Sequence, residues 1–392
     1  MRLIHLAQIS ASPLGGVLFL DARLYDEWAG RILTEGFSAG RPLFVEPGYA
    51  LLLALFKAAG VGPAGTRLAQ AALGLGIVWL TARVARRLGG STAAGAAALV
   101  AALYLPLIYF EGLILKTTLE VFLSMLLIER ILALGDLPTA GRALLAGAAA
   151  GAGLVVRSTL LPIAAAGAVW AALGARREGR PRAAVTPLLM LALPAAALAG
   201  LAASNRISGG EWTPFPYNSG INFYIGNCRG CNGVDAGYPF GRGVPEHEEE
   251  DSRLEAERRA GRPLGFSGSS AFWWRETARE IVQDPGRWMA LMGTKLLLWW
   301  NRYEITDNQS LYFMRQHVPV LRWPLPGYWL AAPLGCAGLA AAWLLRADRA
   351  WAFTGCALLI QMGLVVSFHV AERYRLPAVP LMLAMGCAAL AR

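Results

Sequence analysis

The chain has 392 residues, of which 56% are hydrophobic and only 16% charged, and its mean hydropathy is +0.44. A soluble domain carries about a quarter charged residues, so this balance excludes an ordinary soluble protein and points to an integral membrane chain. The formal net charge of +10 would by itself admit a nucleic acid or an anionic surface as partner, and where those charges fall decides between them.

Residues 1–20 are apolar and are expected to cross from inside to outside. Pro13-Leu14-Gly15-Gly16 interrupts them, and twenty residues barely make a span. The expectation is a chain that starts within its first span. A signal peptide is the alternative, although no A-x-A site precedes Asp21. Next comes "FLDARLYDEWAGRI" (19–32), which sets Asp21, Arg23, Asp26 and Glu27 among aromatics at a membrane edge. Asp21 and Tyr25 are one helical turn apart and can face one cavity. A carboxylate at that boundary can deprotonate an acceptor hydroxyl or amine beside a lipid headgroup. A solvated juxtamembrane aspartate is the plainer reading. The segment "EPGYALLLALFKAAG" (46–60) is too short to span and reads as an interfacial or re-entrant helix.

Candidate spans follow at 63–85, 91–109, 112–134, 184–203, 326–346, 350–368 and 376–391. The run 141–174 is too long for one span and carries Arg157 and Pro162 near its middle, so it is expected to split into two short helices meeting at Arg157. With 21–46 outside, strict alternation sends every basic cluster to one side. Those short loops hold Arg83, Arg86, Arg87, Arg130, Arg142, Arg176, Arg177, Arg180, Arg182, Arg346, Arg349 and Arg392, against only Glu129, Asp136, Glu178 and Asp348. Basic short loops mark the cytoplasmic face, so the excess charge encodes topology and no nucleic-acid partner is expected.

The opposite face collects the ionisable residues near apolar segments. Glu111 and Lys116 lie in "YFEGLILK", Arg157 interrupts its run, and Arg373 and Arg375 sit in "ERYRLP". Ionisable groups at such depth are functional suspects, and arginine suits bidentate phosphate binding. The structural alternatives are a Glu111–Lys116 ion pair, an Arg157–Glu111 pair or a snorkelling Arg157, and interfacial anchoring by the late arginines. The segment 204–325 has room for a small, mostly helical outer subdomain: a charged helix over 246–261 and an interfacial helix pair over 270–300. Cys228 and Cys231 form either a local disulfide or two ordinary thiols, and with His247 alone they cannot make a zinc site. No Walker loop, GxGxxG, HExxH or GxSxG occurs, which argues against nucleotide-dependent chemistry.

Taken together, "LDARLYDEWAGRI…EPGYALLLALF", "YFEGLILK", "NSGINFYIGN" and "RYRLPAVPLML" resemble bacterial GT-C glycosyltransferases, relatives of protein O-mannosyltransferases and of the aminoarabinose transferases that act on lipid A. The resemblance implies an all-α polytopic bundle of about 9–10 spans. Its parts would be a transmembrane module over 1–203 with a first outer loop at 21–60, the 204–325 subdomain, and C-terminal spans over 326–392. It also implies a polyprenyl-phosphate sugar donor, an inverting transfer to a lipid, glycan or protein acceptor, and an active site facing the periplasm. Asp21 matches the first-loop base, Glu111 a second acidic position, and Arg373 the arginine near the donor phosphate. Where relatives carry Asp-Glu, Ala22 follows Asp21, so Asp26 and Glu27 are alternative bases. Where relatives carry Lys-Pro-Pro, this chain has Glu46-Pro47-Gly48, leaving Lys116 or Arg375 to supply the missing cation. Asn222 and Asn227 fit an outer loop near the site or a simple turn. No cofactor is required, and a divalent cation could sit between carboxylates and phosphate. A flippase would instead place polar residues midway along several spans, and a non-catalytic scaffold would not depend on Asp21.

Overall fold

The computed structural model describes residues 1–37, 41–177, 185–234, 240–346 and 348–392. Among them the regular structure is helical. The N-terminal part contains α1 (Arg2–Ala11), α2 (Asp21–Glu35), α3 (Gly48–Ala58), α4 (Pro63–Leu103), α5 (Leu105–Glu111), α6 (Thr117–Asp136), α7 (Ala140–Val156), α8 (Leu161–Arg177) and α9 (Thr186–Gly209). The polar middle folds as α10 (Ser219–Asn227), α11 (Pro245–Ala260), α12 (Phe266–Gln283), α13 (Pro285–Trp300) and α14 (Leu311–His317). The C-terminal part is α15 (Tyr328–Leu344), α16 (Arg349–Ser367), the short α17 (Glu372–Arg375) and α18 (Val379–Leu390).

Four helical segments among the described residues are long and apolar enough to cross a bilayer: 63–103, 158–175, 186–209 and 349–367. The chain is an integral membrane protein with an all-helical bundle. α4 joins the two expected spans 63–85 and 91–109 across a kink at Gly90, whose φ of +80° only glycine adopts without strain. The run 141–174 breaks where expected. α7 ends at Arg157, which is extended, and a 3₁₀ turn (Ser158–Leu160) leads into α8. The expected pair at 270–300 divides at Asp284, whose side chain caps α13 by accepting from the Arg287 N–H at 3.0 Å. One expectation fails. Residues 1–20 do not form a crossing helix, because α1 stops at Ala11 and residues 12–16 turn. Ten residues rise only ~15 Å, half the hydrocarbon thickness.

The basic clusters of different helices meet at one end of the bundle. Buried Glu129 on α6 gathers Arg83 at 2.7 Å, Arg87 at 3.2 Å and Arg130 at 2.6 Å. Arg87 also reaches Asp136, Arg142 donates to the Ala133 carbonyl, Arg392 donates to the Leu88 carbonyl, and the Arg349 guanidinium lies over Trp170. Arg180, Arg182 and Glu178 lie outside the described residues. α6 runs toward this end and α16 away from it, so residues 111–117 and 367–375 lie a bundle length away.

Small residues let the helices approach. α18 packs on α4 and α15 through Gly89, Gly335, Gly338 and Gly386. A Cβ on Gly386 would stand 2.5 Å from Leu334, whereas one on Gly95 of α4 meets nothing within 4 Å. Gly386→Val is expected to cost about 1–3 kcal/mol and lower the melting temperature in detergent, and Gly95→Ala to be neutral or stabilising by up to about 1 kcal/mol. Equal behaviour of the two variants in thermal unfolding would refute this packing.

Candidate functional site

At the end opposite the basic clusters, the tips of α2, α8, α10 and α16 and the start of α17 surround a cavity of about 200 Å³. Asp21, Tyr25, Glu46, Lys116, Glu120, Arg157, Ser158, Asn218, Asn222, His369, Arg373 and Tyr374 give it its polar wall. Leu160, Ile163, Leu364, Val365 and Phe368 make an apolar side.

Asp21 opens α2, where a helix N-terminus favours a carboxylate. The residue before it, Leu20, has φ +47°, the one non-glycine residue with positive φ among the described residues. Such strain persists only where surrounding contacts fix the backbone. Asp21 Oδ2 accepts from Arg373 Nη1 and, at 2.8 Å, from Asn308 Nδ2. Arg373 also forms an ion pair with Asp307. Burial raises the Asp21 pKa, but the charge and hydrogen bond of Arg373, then Asn308 and Lys116, outweigh it, and the carboxyl titrates below its ordinary value. For Asp307 burial wins: Arg373 opposes it, the Asp21 charge adds to it, and the pKa is raised. The two carboxylates around one guanidinium therefore shift in opposite directions, Asp21 down and Asp307 up.

A second polar cluster faces the first. Lys116 donates to Glu46 at 2.7 Å, and the other Glu46 oxygen accepts from Ser158 N at 3.1 Å and Ser158 Oγ at 2.8 Å. Burial raises the Glu46 pKa, but Lys116, Arg157 and the Ser158 hydrogen bond bring it down to about 2. Glu46 therefore fixes Lys116 at the cavity wall. Arg157 makes a 3.5 Å ion contact with Glu120, and its Nε has no hydrogen-bond partner. The guanidiniums of Arg157 and Arg373 both lie over the Tyr374 ring, at 4.9 and 4.8 Å from its centroid. Among the described residues no group of three or more His, Cys, Asp or Glu is arranged to hold a metal ion.

Of the residues singled out from sequence, the cavity joins Asp21, Tyr25, Lys116, Arg157 and Arg373, with Asn222 beside them. Four go elsewhere. Glu111 is buried against Arg2 at 2.9 Å, with its carboxylate pressed on Gly74, where no side chain fits. Asp26 pairs with Lys57 at 2.9 Å and ties α2 to α3, and Glu27 pairs with Arg23 at 2.7 Å. Arg375 is buried, donating to the carbonyls of Leu298, Trp299, Asn301 and Tyr303 and to Glu304. Neither expected Glu111 ion pair forms, because Lys116 takes Glu46 and Arg157 takes Glu120. Asn227 is a clamp, accepting from Trp288 and Lys295 and donating to the Ser367 carbonyl. Cys228 and Cys231 are disulfide-bonded. Sequence reading missed Glu46 as an anchor, Asp307, Asn308, Glu120 and His369. The "TDN" of 306–308 in a polar loop carries no periodicity that would have marked it.

No protein-family model and no curated sequence matches the chain. Solved structures do. The archaeal oligosaccharyltransferase AglB from Archaeoglobus fulgidus, in complex with an inhibitory peptide and a dolichol-phosphate, aligns over 99% of this chain and 49% of its own at 12% identity and a TM-score of 0.53. Its apo form gives 13% identity and 0.52 over the same shares. The chain thus spans about half the length of AglB. ArnT from Cupriavidus metallidurans bound to undecaprenyl phosphate aligns over 99% of this chain and 75% of its own, at 14% identity and a TM-score of 0.42, a likeness too slight to build on. What the AglB alignment carries is architecture: the chain shares its helical membrane fold with AglB.

Proposed function

We propose that this chain is a membrane glycosyltransferase that moves a hexosyl or pentosyl group from a polyprenyl-phosphate donor to a lipid, glycan or protein acceptor. One observation carries the reading. An ionised carboxylate, Asp21, and three cations, Lys116, Arg157 and Arg373, line a single cavity that is apolar on one side. That is the set needed to hold a lipid phosphate and deprotonate a nucleophile beside it. AglB, whose fold is shared, was solved with a dolichol-phosphate bound, which supports a lipid-phosphate donor here.

In this mechanism the phosphate of the donor meets Arg157, Lys116 and Arg373. The acceptor O–H or N–H gives its proton to Asp21 while its lone pair attacks the anomeric carbon from the face opposite the phosphate. The C–O bond to phosphate breaks, its electron pair leaves with the phosphate, and the configuration inverts. The cations stabilise the charge growing on the leaving group. Asp21 is ionised beforehand, as a base must be. The cations would stabilise that leaving charge themselves, and no step is routed through a metal.

Purified protein incubated with labelled undecaprenyl-phosphate sugars and a membrane extract is expected to label an acceptor, and Asp21→Asn to lower that rate about 10²–10⁴-fold while the protein stays monodisperse. Unchanged turnover in Asp21→Asn would remove the base assignment.

The pH profile gives a second check. Because Asp21 titrates below its ordinary value, kcat/KM should show no acid limb from it above about pH 5. Removing the Arg373 charge lets burial dominate, raises the pKa and moves the limb upward. In Arg373→Gln, residual activity should therefore fall off at higher pH than in wild type; coincident limbs would contradict the pairing.

We also place the cavity outside the cytoplasm, a reading supported by the basic opposite end and by the Cys228–Cys231 disulfide. A cysteine at exposed Glu250 should react with a membrane-impermeant maleimide in intact spheroplasts, and one at exposed Arg86 only after lysis. The reverse pattern would turn the active site inward.

A further inference from the structure

His369 stands on the short link between α16 and α17, and the link is tightly held. The Val370 N–H donates to the Gly233 carbonyl at 2.8 Å, the Glu372 N–H to the Ile305 carbonyl at 2.9 Å, and Asn227 and Lys295 donate to the carbonyls of Ser367 and Phe368. Gly226 lies so close to Phe368 that an added Cβ would meet its carbonyl oxygen at 2.1 Å. The imidazole itself is 5% exposed and packs against the Tyr374 ring at 5.0 Å. It lines the cavity beside Arg373 and Arg157, and neither ring nitrogen has a hydrogen-bond partner. A buried ring with two unsatisfied nitrogens is unfavourable as mere filling, and an apolar side chain would serve better. Burial, then the charges of Arg373, Arg157 and Lys295, lowers its pKa to about 3, so the ring is neutral and offers one donor and one acceptor.

We propose that the acceptor nitrogen of His369 reads the donor's sugar by taking a hydrogen bond from one of its hydroxyls. This rests on the glycosyltransferase reading above. A phosphate offers only acceptors and could use a single nitrogen of a neutral ring, and the cavity already supplies cations for it. The acceptor nitrogen needs an O–H, which a sugar hydroxyl supplies and an ionised phosphate does not. The position follows: the hydroxyl lies next to the phosphate cluster and within reach of the carboxylate that would activate the acceptor. His369 is thus a specificity-determining residue that leaves the lipid phosphate to the arginines.

The test compares undecaprenyl phosphate with undecaprenyl-phosphate glucose, the probe hexose, in equilibrium binding to the full chain in detergent. Wild type should prefer the sugar-linked lipid. His369→Ala should bind the bare lipid within about twofold of wild type and lose about tenfold or more for the sugar-linked lipid. Equal binding of both lipids by wild type, or an Ala variant that matches wild type or weakens for both lipids alike, overturns the proposal. If His369→Ala does not elute monodisperse, His369→Asn and His369→Gln decide, since each keeps a donor and an acceptor. At least one should retain the preference, and its loss in both overturns the assignment. Wild type that binds neither lipid sinks the lipid-phosphate reading itself, a result separate from a failure of His369 alone.

Discussion

The contact between Asp21 and Arg373 joins residues 352 positions apart and organises the cavity around it. Arg373 cannot reach Asp21 unless α17 is set correctly. α17 is set by Arg375, whose guanidinium collects four backbone carbonyls from 298–303 and the Glu304 carboxylate. Those bonds also fix the loop that brings Asp307 to Arg373 and Asn308 to Asp21. A buried arginine serving carbonyls thus aims an adjacent arginine at the cavity. Breaking a buried charge of this kind costs about 3–5 kcal/mol, enough to lose the alignment before the chemistry is touched. The strained Leu20 backbone belongs to the same constraint, since the contacts of Asp21 hold it in place.

Apolar length and arginine placement made the bundle legible from sequence. The break at Arg157 was marked by a polar residue in a run too long to span, and the division of 63–85 from 91–109 by the basic turn between them. Both are local features, and local features are what one sequence displays. The first segment misled because hydropathy counts residues without weighing Pro13, Gly15 and Gly16, which end α1 after ten residues.

The site was legible in part, for a related reason. Asp21 with Tyr25, and Arg373, stood out because charge beside apolar helix is costly and conspicuous. That same rule selected Glu111 and Arg375, which satisfy it by structural pairing with Arg2 and with backbone carbonyls. Sequence reports that a charge sits near lipid but not which partner neutralises it. Asp307 and Asn308, and the anchoring role of Glu46, escaped notice because polar loop residues cost nothing in water. Their roles arise only when the loop folds over the cavity.

The broken run at 157–160 shows how the fold makes room for chemistry. Backbone polar groups freed at membrane depth are tolerated only where protein or a cavity satisfies them. Here the freed Ser158 N–H donates to Glu46, Glu46 holds Lys116, and the extended Arg157 turns its side chain onto Tyr374. The defect in the helix therefore creates the cationic wall. The strengths of the contacts in that wall are graded. Lys116 is held at 2.7 Å and Arg373 by two carboxylates, whereas Arg157 has a 3.5 Å ion contact from its Nε to Glu120 and the face of Tyr374. Of the three cations, Arg157 has the least to give up to an arriving anion. Arg373 can turn to another anion only by giving up Asp21, and that loss would raise the proton affinity of the carboxylate.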